Sequence, residues 1–159
     1  MKVLESQKTK EKSRFFLKMC FFMTYLAIAL LGVLFVTFVP LTEFYLGRIG
    51  LGFPDPPFLP TVILLYAAWC PAALAVVSLL LLLRNVRDGK VFCEKSVRLL
   101  RNIAYAAFGF SAVIFVMCIW IPLFLLVAFA SLALGMIIAV VRSVIEEGTR
   151  IKEENDYTV

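Results

Sequence analysis

Histidine is absent from all 159 residues. That removes the side chain most often used as a metal ligand and as a switch near neutral pH. Charge is scarce too, at 17% of the chain against about 25% in soluble domains. Cysteine occurs only as Cys20, Cys70, Cys93 and Cys118, never as a CxxC pair, and three of the four lie in apolar runs. A zinc or iron–sulfur centre therefore has neither ligands nor spacing. The thiols read as small apolar packing residues, with Cys93 alone in a polar loop. No metal and no cofactor is expected.

What replaces charge is apolar surface, 62% of the residues where soluble chains hold about 45–50%. One compact core of this length cannot hide that much, so lipid must serve as solvent for part of it. Four runs carry no charge and reach the roughly 20 residues that a helix needs to cross a hydrocarbon core. They are residues 19–39, stopped by Pro40; 61–83, opened by Pro60 and stopped by Arg84; 102–120; and 122–141, stopped by Arg142. Barrel strands would be half as long with alternating polarity. The runs are apolar all round, so the expectation is an all-α integral membrane four-helix bundle forming a single domain over residues 1–159. The first run is too long for a signal h-region and no A-x-A site follows it, so it is read as retained.

Orientation follows from the cations. Lys2, Lys8, Lys10, Lys12, Arg14 and Lys18 precede the first run. Arg84, Arg87, Lys90, Lys95, Arg98 and Arg101 fill the loop 84–101, and Arg142, Arg150 and Lys152 lie in the tail 142–159. Only Arg48 falls on the other side. The positive-inside rule then puts both ends of the chain, the 84–101 loop and the tail in the cytoplasm, with the bundle in the plasma (inner) membrane. The same clustering beside apolar runs argues against direct nucleic acid binding, which needs a basic face on a soluble fold.

The connection Trp120-Ile121-Pro122 is so short that runs three and four must form an antiparallel hairpin. The outer loop, 40–60, holds Pro54, Pro56, Pro57, Gly47, Gly50 and Gly52 among apolar residues. It reads as a turn-rich connector folded onto the outer interface.

Helices in lipid associate through close packing of small residues. Ser131, Gly135 and Ala139 lie one turn apart on run four, Ala107 and Ser111 with Gly109 on run three, and Ala68, Ala72 and Ala75 on run two. These stripes are expected to seal helices within the chain, a homodimer seam being the rival use. Pro71 sits mid-run in the second span, where it removes a backbone donor and should kink the helix.

No Asp, Glu, Lys or Arg lies in the interior of any run, and the polar groups there are isolated hydroxyls. Ion-coupled transport usually needs charge at depth, and a nucleophile with its base cannot be assembled from these residues. No catalytic residue is expected.

In the loop, Asp88-Gly89 is a turn signal. From Phe92 onward Val97, Leu99 and Leu100 alternate with Glu94, Lys95, Arg98 and Arg101, the pattern of a short amphipathic helix leading into span three. The tail is expected to extend span four as a helix, with Glu146 and Arg150 spaced for an i,i+4 pair. It then turns acidic through Glu153, Glu154 and Asp156. Such an end is held off an anionic membrane, free to meet a partner or to pair with the basic loop.

The stretch LLLRNVRDGKVFCEKSVRLLRNIAY and the ending EEGTRIKEENDYTV resemble the YoaS-like family of short bacterial four-span membrane proteins, a domain of unknown function. The sharper parts are the Gly89-x-x-Phe92 turn and the Glu153-Glu154-Asn155-Asp156-x-Thr158 ending. Many members are encoded beside a small Xre-type helix-turn-helix regulator. The resemblance thus implies a regulatory protein that docks such a cytosolic transcriptional regulator through Gly89, Phe92, Arg98, Arg101 and the Glu153–Thr158 ending. The alternatives are a self-immunity protein shielding the cell from a membrane-active peptide, and an oligomeric small-molecule transporter.

Overall fold

The computed structural model describes residues 2–46, 58–89 and 92–156, with side chains for 15–44, 58–89, 92–152 and 154. Residues 47–57 of the loop expected on the outer side, and Thr158, lie outside the described residues, as do the side chains of Glu153, Asn155 and Asp156. Four helices follow one another: α1 (Lys2–Leu46), α2 (Phe58–Arg87), α3 (Glu94–Met117) and α4 (Phe124–Asp156). Each contains a segment long and apolar enough to cross a membrane, and large apolar side chains such as Phe22, Val36, Leu126 and Val140 stand exposed along them. This is the outer surface of a multi-pass membrane protein, in which lipid takes the place of water.

Each helix packs on its sequence neighbours: α1 on α2, α2 on α3, α3 on α4. All three contacts are antiparallel. Along the first, Phe35 and Phe38 meet Tyr66 and Leu31 meets Trp69, while Phe21 lies at the far end beside Arg87. Along the second, the backbone of Gly109 faces Pro71 and Asn85 reaches Ser96. α3 is the most enclosed helix. Its buried residues Ser96, Leu100, Ile103, Ala104, Ala106, Ser111, Ile114 and Met117 lie on one side of the helix, linked by steps of three, four and seven residues.

Small residues let α3 and α4 approach closely. Ser111 Oγ donates to the Ala128 carbonyl at 2.8 Å, and Ser131 Oγ to the Ala107 carbonyl at 3.0 Å. A Cβ on Gly135 would lie 2.9 Å from Phe108 Cε1 and 3.3 Å from Ala107 Cβ. Ala139, one turn further on, is half-buried on α4. The other end of the interface closes in a small core of Ala68, Ile114, Met117 and Ala128. Between α1 and α2 the contact is aromatic instead. Phe35 meets Tyr66 edge to face and Trp69 at a tilt, with ring centroids 5.2 and 4.9 Å apart, and Trp69 Nε1 donates to the Leu31 carbonyl.

Three sequence expectations are corrected here. Pro40 does not stop the first helix, which continues to Leu46. Ending a helix in apolar surroundings strands several backbone groups, whereas a proline strands one. Residues 118–123 form the α3–α4 connection, so the third helix ends before Trp120 and the fourth begins after Pro122. Trp120 and Ile121 both donate back to the Met117 carbonyl, and Pro122 holds Ile121 out of helical conformation. The pattern from Phe92 onward forms no separate short helix. Its residues are the first turns of α3, which starts at Glu94 with Cys93 as N-cap.

A candidate docking face at the basic end of the bundle

α2 ends where its chemistry changes, at Arg84 and Arg87. Asp88 N–H donates to the Arg84 carbonyl and Gly89 N–H to that of Val86. Gly89 sits at φ +73°, the left-handed position that closes a helix and that only glycine takes without strain. The chain then turns back to Phe92 and Cys93. Asp88 lies 3.6 Å from Arg87, whose guanidinium stands over the Phe21 ring at 5.6 Å.

Ser96 fixes the start of α3. It is 0% exposed, receives Asn85 Nδ2 at 3.5 Å and lies 3.3 Å from Cys93 Sγ. The hydroxyl thus ties the end of α2 to the cap and first turn of α3. The same contact is the largest influence on the Cys93 thiol, holding its pKa below the ordinary value. Backbone hydrogen bonds from Ser96 and Lys95 and the Lys95 charge act in the same direction, against desolvation.

Phe92 reaches across to α4. A Cβ on Gly148 would fall 2.9 Å from Phe92 Cε1, so the ring lies directly on the glycine backbone while 50% of the residue stays exposed. The loop and the tail, more than fifty residues apart in sequence, form one surface. Beneath it lies a cleft of about 270 Å³ between the first turns of α3 and the Arg142–Arg150 stretch of α4.

Of the residues expected to bind a partner, Gly89 makes the turn and Phe92 is the bridge. Arg98 lies 3.4 Å from Glu94, and Arg101 is exposed at the cleft. Glu154 lies 3.9 Å from Arg150, while Glu153, Asn155 and Asp156 ride on the last turns of α4. The expected Glu146–Arg150 pair is replaced. Glu146 joins Arg142 at 3.0 Å and Arg150 joins Glu147 at 2.6 Å. Helix rules favour the pair with Glu on the N-terminal side, but Arg142, with only 30% of its side chain exposed, sits where solvent screens less. Sequence reasoning treated Arg142 as the end of a span and gave Gly148 no role. Their roles depend on the α3–α4 register, which no single segment carries.

A family model described as "Protein of unknown function (DUF2975)" matches residues 6–159. No curated protein and no solved structure matches the chain.

Proposed function

The chain belongs to that family, whose description assigns no activity, and we propose that it is a non-enzymatic inner-membrane protein that docks a soluble cytosolic partner on the joined loop-and-tail face. The observation that carries this reading is the Phe92 ring seated on Gly148. It brings two polar segments together at one end of an otherwise lipid-facing bundle. Fifteen of the sixteen cations belong to segments at that end, which supports a cytoplasmic orientation.

Beyond Gly148, α4 runs on as a helix from Arg150 to Asp156, extending about 10 Å at 1.5 Å per residue. Glu153, Glu154 and Asp156 lie on this projection. A run of carboxylates held off the membrane attracts a partner with a basic surface, and a small DNA-binding protein has one. The resemblance to YoaS-like proteins supports the same choice: a helix-turn-helix regulator of the Xre type, encoded beside this chain's gene.

The test is co-purification of that regulator with the full chain from detergent-solubilised membranes. Neutralising Glu153→Gln, Glu154→Gln and Asp156→Asn together keeps size and helical character while removing three charges. Recovery of the regulator should fall about tenfold, the factor that corresponds to roughly 1.4 kcal/mol. Equal recovery would contradict the reading, and so would the lack of any such regulator beside the gene.

A further inference from the structure

We propose that the cleft between the first turns of α3 and the Arg142–Arg150 stretch of α4 binds a phosphate group, carried by an anionic lipid headgroup or by a free phosphate anion. This goes beyond the docking reading and does not depend on it. Among the described residues four arginines line the cleft, Arg98 and Arg101 from α3, Arg142 and Arg150 from α4, together with two acids, Glu94 and Glu146. No lysine lines it. Helix packing has brought like charges face to face across an interface, and the two carboxylates compensate half of them.

Among the described residues the pairing leaves one arginine of the cleft open. Glu94 takes Arg98 and Glu146 takes Arg142. Arg150 turns to Glu147 and Glu154, which lie outside the cleft lining. Arg101 has no ion pair among the described residues. Arg142 uses a terminal nitrogen on Glu146, while its Nε is buried out of reach of the cleft. Arg101 is thus the donor a ligand meets first, and an arginine fork matches the oxygens of a phosphate two at a time.

Size and position narrow the ligand. The volume of about 270 Å³ falls just under the roughly 300–1,000 Å³ of drug-sized sites, which suits a headgroup better than a nucleotide. Arg101 and Arg142 are the cations that border the apolar stretches of α3 and α4, before the one and after the other. The cleft therefore opens at the depth where headgroup phosphates lie, and basic pockets between spanning helices are established places for anionic headgroups.

The experiment uses the full chain purified in a neutral detergent, with two probes. Native mass spectrometry counts retained phosphatidylglycerol against phosphatidylcholine, and thermal shift compares inorganic phosphate with chloride at matched ionic strength. Arg101→Gln removes an exposed cation from the cleft. Arg84→Gln removes one at the same end of the bundle but outside it. Phosphatidylglycerol held in preference to phosphatidylcholine and weakened about tenfold by Arg101→Gln, but less than about twofold by Arg84→Gln, supports a headgroup site. The same pattern with inorganic phosphate supports a free anion. Equal losses in the two variants would show diffuse attraction to a basic surface and overturn the proposal, as would no binding of either probe.

Discussion

Phe92 and Gly148 touch with no room for a side chain between them: a Cβ on Gly148 would meet the ring edge at 2.9 Å. The obstacle is the far end of a half-exposed side chain, which can swing aside. Gly135 meets the same 2.9 Å limit at Phe108 but also faces Ala107 Cβ at 3.3 Å, and that methyl cannot move without α3. Gly148→Ala should therefore be close to neutral, because helix propensity returns up to about 1 kcal/mol against the cost of displacing Phe92. Gly135→Ala overpacks an interface, at about 1–3 kcal/mol. Reversible unfolding in mixed micelles should show Gly135→Ala the less stable of the two by about 1 kcal/mol. The reverse order would mean that α3 and α4 are not held at this separation.

Ser111 and Ser131 each donate across the α3–α4 interface, to Ala128 and Ala107. Hydrogen bonds between membrane helices contribute about 0.6 kcal/mol on average and rarely more than about 1.7. Ser111→Ala and Ser131→Ala should each lose about that much in the same unfolding measurement, and the double variant close to the sum. A serine that merely fills space would show no loss.

The Cys93 thiol is held below its ordinary pKa chiefly by Ser96. The thiolate is the nucleophile, so a lowered pKa leaves more of Cys93 reactive at neutral pH. In a variant with Cys20, Cys70 and Cys118 replaced by alanine, the rate of alkylation should reach half its maximum at a lower pH than for a free thiol. Ser96→Ala removes the largest cause and should move that midpoint upward. An unchanged midpoint would assign the shift to the backbone hydrogen bonds and Lys95 instead.

The apolar runs made four helices legible from composition alone, because lipid imposes length and polarity on each segment separately. What composition could not supply was everything set between segments. Pro40 reads as a stop in a local rule, yet α1 passes through it, since a broken helix in apolar surroundings strands more backbone than one proline does. Glu146 had two arginines at equal spacing, and burial of Arg142 chose between them. Phe92 was visible as an apolar residue in a polar loop, but nothing local pointed it at Gly148. The cleft drew on the same hidden information: Arg98, Arg101 and Arg142 are ordinary flanking cations until antiparallel packing sets them opposite each other.

Cys93 and Cys118 cap the two ends of α3, so they report which side of the membrane each end faces. Single-cysteine versions of the full chain, exposed to a membrane-impermeant maleimide in intact cells and in inverted membrane vesicles, test the account most directly. It predicts that Cys118 reacts in intact cells and Cys93 only in inverted vesicles. Labelling of Cys93 in intact cells would put the loop-and-tail face outside, where no cytosolic partner could reach it.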